Sequence, residues 1–68
     1  MNSIRRFREA RGLTLKEMAN DIYVHESTIR GWEHGRRTPN ATEIIRIAQT
    51  YGVSADYLLG LTEKEKTL

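Results

Sequence analysis

The residues with the most specific chemistry lie between positions 26 and 34 of the 68-residue chain. Arg30 carries a planar guanidinium group, which can donate two hydrogen bonds to the O6 and N7 atoms of guanine. Glu26 can accept a hydrogen bond from cytosine N4, and the Ser27 hydroxyl can bond to either type of base. These side chains therefore have the chemistry needed to contact base edges in the major groove of double-stranded DNA.

Gly31 follows Arg30 inside the same segment, where a glycine costs about 1 kcal/mol relative to alanine if the segment is helical. Close approach of the backbone to a duplex would explain this residue. Relaxed selection at an exposed position would explain it equally well. We predict that Gly31 contacts bases together with Glu26, Ser27 and Arg30.

Positive charge is concentrated in two short segments, although the formal net charge is only +2. Four arginines lie within the first eleven residues, and Arg36 and Arg37 are adjacent in a predicted loop. Clustered arginine is typical of a surface that binds a polyanion, but an ordinary solvated surface can have the same composition. Charge alone leaves both interpretations open.

Five short helices must position these residues, because apolar residues recur at helical spacing and no stretch alternates as a strand would. The predicted helices are residues 3–11, residues 15–22, residues 26–34, a segment between Asn40 and Gly52, and a short segment after Ser54. Capping boxes, in which two side chains satisfy free backbone N–H groups, are predicted at Thr14 with Glu17 and at Asn40 with Glu43.

The second and third predicted helices meet across a turn of three residues, 23–25. Ala19 is small where the two helices would cross, Val24 fills the turn, and Ile29 and Trp32 face inward one turn apart. This spacing is typical of a helix-turn-helix, in which a small residue permits close crossing. An ordinary helix pair of a bundle is the alternative interpretation.

Three segments, TLKEMANDI, STIRGWEHGRRTPN and YGVSADYLLG, extend the pattern in register from Ile4 to Leu59. With them the chain resembles the phage repressor and Cro family of helix-turn-helix domains, also called the XRE family or Cro/C1-type. The resemblance implies an all-α fold, a compact five-helix, lambda-repressor-like DNA-binding domain over residues 1–61. Residues 62–68 are expected to form a disordered tail.

The resemblance also implies a function: a sequence-specific regulator of transcription, expected to be a repressor, whose third helix reads a double-stranded DNA operator. In the family, the start of the second helix and the loop after the third flank the recognition helix. Residues in and around these regions are expected to contact phosphates, which position a protein without reading sequence. They are Lys16, Thr28, Arg36, Arg37, Thr38 and Asn40.

Arg8 and Glu33 stand where the family has an inward arginine and an inward glutamate, so the resemblance implies a structural ion pair between them. Leu15 departs from the family pattern, since many members have a glutamine there that touches phosphate. At that position we expect only backbone amides to contact DNA.

The turn departs from the family pattern at two further positions. Tyr23 replaces the usual glycine, so the turn either has a different shape or carries a cost of about 1–2 kcal/mol for a left-handed residue. His25 replaces the usual serine or threonine cap, so either Ser27 caps the third helix or that helix begins less firmly.

A homodimer is expected, because one such module buries too little surface for a specific site and the family uses two half-sites. The predicted interface is Tyr57, Leu58, Leu59 and Leu61, with completion of the core as the alternative role for these residues. A short regulator of a phage, plasmid or mobile element, an antitoxin, and the N-terminal part of a longer repressor all fit a chain of this extent.

Other function classes find little support in the sequence. The chain has no cysteine, and its two histidines, His25 and His34, have no third ligand placed with them. We therefore expect no enzyme activity, metal, cofactor or small-molecule substrate. No stretch approaches the roughly 20 apolar residues of a membrane span. We expect a cytoplasmic protein that is associated with the nucleoid through DNA. A protein-interaction or antitoxin-type module of the same fold remains the alternative.

Overall fold

The computed structural model describes residues 2–64. These residues form five helices and no strand, namely α1 (Asn2–Ala10), α2 (Leu15–Ile22), α3 (Glu26–Glu33), α4 (Ala41–Tyr51) and α5 (Ala55–Leu58). The Cα radius of gyration is 10.7 Å, close to the value of about 11 Å expected for a folded chain of this length. The predicted all-α, five-helix architecture is confirmed. From position 65 onward, the predicted tail lies outside the described residues.

Both predicted capping boxes are formed. At the start of α2, the Glu17 backbone N–H donates to Thr14 Oγ1 at 3.0 Å, and the Thr14 N–H donates to Glu17 Oε1 at 2.8 Å. At the start of α4, Glu43 and Asn40 make the same reciprocal pair with both distances 2.8 Å. Each box satisfies two backbone donors that have no partner within the helix, which sets the first residue of α2 and of α4.

All of α1 to α5 contribute side chains to one apolar core. Its largest fully buried members are Trp32, Phe7, Ile4, Met18, Ile22, Ile29, Ile47 and Leu58. Burial of a side chain of this size contributes about 1.5–3 kcal/mol. In a domain this small, each helix is therefore held mainly by the residues it places in the core.

The end of α5 corrects part of the predicted dimer interface. Tyr57 is 5% exposed and Leu58 is fully buried, so both complete the core. Leu59 and Leu61 remain exposed, at 46% and 74%. The prediction was wrong for Tyr57 and Leu58 because α5 is a single turn that must turn one face inward against α1 and α4. None of the described helices is long and apolar enough to span a bilayer.

An ion pair joins α1 to the end of α3. Arg8 Nε donates to Glu33 Oε2 at 2.7 Å, and Arg8 Nη2 donates to Glu33 Oε1 at 3.0 Å. Arg8 Nη1 also donates to the Leu13 carbonyl at 2.8 Å. The hydrogen bond to Glu33 raises the pKa of Arg8, against the opposing effect of burial. The pair implied by the family resemblance is thus present, with planar, bidentate geometry.

Candidate nucleic-acid interface

The turn between α2 and α3 keeps a left-handed shape without glycine. Tyr23 has φ 60° and ψ 44°, and its N–H donates to the Ala19 carbonyl. The Val24 N–H donates to the same carbonyl at 3.1 Å. The Tyr23 side chain is 84% exposed, so its ring adds little packing in return for the strained backbone. Of the two alternatives, the structure shows the strained residue rather than a different turn.

Two contacts from α4 hold α2 in place, and neither was predicted from the sequence. Arg46 Nη1 donates to the Ile22 carbonyl, the last of α2, at 3.1 Å. The Tyr51 hydroxyl donates to Asp21 Oδ2 at 2.7 Å. Their positions in the sequence give a weak indication of these contacts. Arg46 is next to the buried Ile47, and Tyr51 lies four residues after Ile47, so both are close to the inward side of α4. The pKa of Tyr51 is raised, mainly because the phenol is partly buried and also because it donates a hydrogen bond to Asp21.

The first turn of α3 has no side-chain cap. His25 takes the N-cap position with extended backbone, and its side chain makes no capping hydrogen bond. Its carbonyl accepts from the Thr28 N–H at 3.0 Å and from the Ile29 N–H at 3.4 Å. Ser27 lies within the helix and does not take over the cap. Of the two alternatives predicted for this helix, a cap from Ser27 or a less firm start, the structure shows the less firm start.

The outer face of α3 is exposed at Glu26, Ser27 and Arg30. Ile29 is fully buried and Trp32 is 1% exposed, as predicted, while Glu26, Ser27 and Arg30 on other sides of the helix are exposed. Arg30 Nη2 lies 4.0 Å from Glu26 Oε1, with both side chains about half exposed. Ion pairs of this kind contribute little to stability. Both groups can therefore exchange this contact for a ligand at small cost.

Gly31 is predicted to lie on an exposed surface, but in the structure it is buried. A Cβ atom built on Gly31 would lie 3.1 Å from Arg37 Cδ and 3.2 Å from Arg37 Cγ. The chain folds back after α3, so that the Arg37 side chain covers the glycine. The structure therefore supplies an explanation that the sequence did not: the missing side chain at position 31 makes room for the stem of Arg37.

Backbone hydrogen bonds hold this fold-back in place. The Gly31 carbonyl accepts from the Arg36 N–H at 2.9 Å and from the Arg37 N–H at 3.1 Å. The Gly35 N–H donates to the Trp32 carbonyl at 3.2 Å, and Gly35 has φ +76°. This is a Schellman-type ending, in which a left-handed glycine lets the chain satisfy the last carbonyls of the helix. The basic loop is thereby anchored to α3.

A concavity of about 320 Å³ lies between α3 and this loop. Its lining residues are Ser27, Gly31, Arg36 and Arg37. Two of the four are arginines and one is a hydroxyl donor, so the concavity is a basic, hydrogen-bonding surface. It brings together residues predicted to contact bases and residues predicted to contact phosphate.

Most of the predicted phosphate contacts are exposed. Lys16 lies in the first turn of α2, and Arg36, Arg37 and Thr38 lie in the loop after α3. Asn40 is also exposed, but its side-chain oxygen accepts from the Glu43 N–H and only its amide donors remain for a ligand. Thr28 is half-buried. Within residues 2–64, no three His, Cys, Asp or Glu side chains are grouped so as to hold a metal ion.

Comparisons with known proteins agree with this geometry. A family model described as Helix-turn-helix matches residues 4–58. The chain is 35% identical over 60 residues to the uncharacterized HTH-type transcriptional regulator YobD of Bacillus subtilis (strain 168), a match that covers 88% of this chain and 54% of that protein. It is 34% identical over 65 residues to the HTH-type transcriptional regulator ImmR of the same organism, covering 91% of this chain and 51% of that protein.

The chain therefore spans about half the length of the curated relatives it matches. Both relatives carry names that describe regulators of transcription. No solved structure gives a significant match.

Proposed function

The chain belongs to the helix-turn-helix family, whose model covers residues 4–58, and from this we propose that it binds double-stranded DNA with sequence specificity and regulates transcription. The family assignment confirms the resemblance inferred from the sequence. The names of the two similar Bacillus subtilis proteins support the regulatory part of the proposal. A DNA operator is the proposed partner.

One observation carries the proposal: the inner side of α3 is fixed in the core, and its outer side exposes polar and charged side chains. Ile29 and Trp32 hold its inner side in the core, and the Arg8–Glu33 pair holds its C-terminal end. The exposed side then presents Glu26, Ser27 and Arg30 on a rigid element. An α-helix of this kind fits the major groove, where every base pair has a distinct set of donors and acceptors.

Each group on this surface has a proposed role. Arg30 donates to guanine O6 and N7, Glu26 accepts from cytosine N4, and Ser27 bonds to a neighbouring base. Residues around α3 bind phosphate and set the register of the protein on the duplex. These are Lys16, Thr28, Arg36, Thr38 and Asn40, together with the backbone N–H groups at the start of α2.

We also propose that two copies bind one operator, because a single module of this size covers little DNA surface. Leu59 and Leu61 are the exposed apolar residues beside α5, and they replace the four-residue interface predicted from the sequence. Repression is the proposed sign of regulation, since a bound dimer blocks access to an overlapping promoter. The proposed location is the cytoplasm, on nucleoid DNA.

The experiment that tests this function selects duplexes from a random-sequence pool with the purified protein and sequences them. A preferred site with two symmetric halves about one helical turn apart is expected. Its affinity should fall as salt rises, with a slope of about −0.9 in log–log form for each phosphate neutralised. Selection of no preferred sequence, at low and at moderate salt, would reject the proposal.

A further inference from the structure

The outer face of α3 lacks a side chain near its middle. Successive residues of an α-helix are rotated by about 100°, so Gly31, two positions after the buried Ile29, points away from the core. Ser27 lies one turn earlier on the same side of the helix. At the place where α3 would present its next groove-facing side chain, the sequence has glycine.

The side chain of Arg37 fills that place. Its Cβ, Cγ and Cδ atoms lie 3.4, 3.2 and 3.1 Å from the position that a Gly31 Cβ would take. The Arg37 N–H donates to the Gly31 carbonyl at 3.1 Å, so backbone and stem are both fixed to α3 at the same residue. Ser27 and Arg37 line the same concavity. Arg37 is thus an exposed residue whose aliphatic stem lies against Gly31 on the outer face of α3.

We propose that Arg37 reads a base pair, in place of the side chain that Gly31 lacks. This assignment rests on the proposed DNA binding and goes beyond it, because the sequence analysis predicts a phosphate contact for Arg37 and the assignment makes it a residue that determines specificity. The group it would recognise is a guanine edge in the major groove, which offers O6 and N7 to the guanidinium fork. Glycine at position 31 then supports specificity, since a side chain there crowds the stem of Arg37, the more so the larger it is.

The two roles of an arginine give different binding behaviour. Loss of a phosphate contact weakens binding to all duplexes about equally and reduces the salt slope by about 1. Loss of a base contact removes the preference at one position of the site. Lysine keeps the charge but lacks the planar fork, so it replaces arginine at phosphate better than at guanine.

The test therefore compares Arg37→Lys with Arg36→Lys, its neighbour in the same loop. Sites are selected from a random duplex pool with each protein, and affinities are measured for the wild-type site and for an unrelated duplex. Arg37→Lys should lose the preference for one base pair and bind the wild-type site about 5–150-fold more weakly. Its affinity for the unrelated duplex and its salt slope should stay close to wild type. Arg36→Lys changes a proposed phosphate contact, so any loss of affinity should be equal on the selected and the unrelated duplex, and the sequence preference should be retained.

A second variant, Gly31→Ala, tests the position of the stem. The new methyl group would lie 3.1 Å from Arg37 Cδ, so the arginine stem must give by a few tenths of an ångström. Preference should weaken at the same base pair as in Arg37→Lys, and the double variant should lose little more than Arg37→Lys alone. Circular dichroism should show an intact fold, because alanine favours a helix more than glycine does.

The outcomes separate this inference from the proposed function. If the wild-type protein selects no site, DNA reading by α3 fails altogether. If it selects a site that Arg37→Lys selects unchanged, Arg37 does not read a base and the inference is overturned. The same holds if Arg37→Ala weakens binding equally for the selected and the unrelated duplex. A normal preference in Gly31→Ala would overturn the role given to the glycine.

Discussion

Arg8 and Glu33 show how a charged pair can hold a binding element in a domain with a small core. Their side chains are 15% and 6% exposed. Arg8 donates two hydrogen bonds to Glu33 at the end of α3 and one to the carbonyl of Leu13, so it joins α1 to both of these segments. The pair matters less for its own energy than for the effect of breaking it, because a buried carboxylate without its partner is strongly destabilising.

Replacement of Arg8 by alanine should lower the free energy of unfolding by about 3–5 kcal/mol, since Glu33 would keep its charge without a partner. Urea or thermal denaturation measures the change. The matched control is Arg5→Ala on the same helix, whose pair with Glu9 is more than half exposed at 3.4 Å. The control should lose less than about 1 kcal/mol. Equal effects of the two substitutions would show that burial of the pair is unimportant.

Individual residues differ in how well the sequence predicts them. Ile29 and Trp32 follow from helical spacing, and their burial leaves Arg30 exposed as expected. The cover over Gly31 could not be predicted, because it depends on the path of the chain after Gly35. A local pattern identifies an inward side chain, but it does not show which later residue folds back onto a helix.

At the scale of elements, the turn between α2 and α3 sets the angle at which α3 is presented. Tyr23 holds that turn in a left-handed conformation that costs about 1–2 kcal/mol for a residue with a side chain. The Arg46 and Tyr51 contacts from α4 then fix α2 against the body of the domain. The strain is tolerated because neighbouring contacts determine the turn.

Tyr23→Gly should raise the free energy of unfolding by about 0.5–1 kcal/mol. Relief of the left-handed strain exceeds the extra backbone entropy that glycine loses on folding, about 0.5–1 kcal/mol. Little packing is lost, because the ring is 84% exposed. Tyr23→Phe, which keeps the strain, is the control and should stay near wild type. A less stable glycine variant would mean that the ring, rather than the backbone, matters here.

The Tyr51 hydroxyl of α4 makes the free energy of unfolding depend on pH. Its pKa is raised in the folded chain, by partial burial and by the hydrogen bond to Asp21. The stability it contributes is therefore complete below the pKa of an unfolded tyrosine, about 10, and is lost as the pH rises beyond that value. Above about pH 10, unfolding free energy should fall more steeply in the wild type than in Tyr51→Phe. Parallel pH profiles from denaturation would contradict this prediction.

Elements were predicted more completely than the contacts between them. The starts of α2 and α4 follow from capping boxes that span three residues, and the ends of several helices follow from glycine. The Arg46 and Tyr51 contacts join residues 24 and 30 positions apart. Such pairs depend on how α2 packs on α4, which local spacing does not contain.

For the whole molecule, the question is how many copies act together. Tyr57 and Leu58 are committed to the core, which leaves Leu59 and Leu61 as the apolar surface beside α5. Both side chains project from the one-turn helix and the residues after it. Two leucines exposed in this way are available to a second copy without disturbing the fold.

Replacement of Leu59 and Leu61 together by serine should abolish dimers in sedimentation equilibrium, while the unfolding transition of the monomer stays nearly unchanged. Affinity for a two-half site should fall, but affinity for a single half-site should not. Ile45→Ser is the control, because Ile45 is a comparably exposed residue on α4, at 52%. If the wild type is a monomer both free and on a two-half site, this interface does not exist.

The most direct test of the account is the effect of Arg30→Ala on specificity. The affinity for a duplex selected by the wild type should fall about 5–150-fold, and the preference for one base pair should disappear. The affinity for an unrelated duplex should fall far less, because Arg30 would serve the base edge rather than the phosphate. Equal weakening on both duplexes, or none on either, would contradict the claim that the open face of α3 reads DNA.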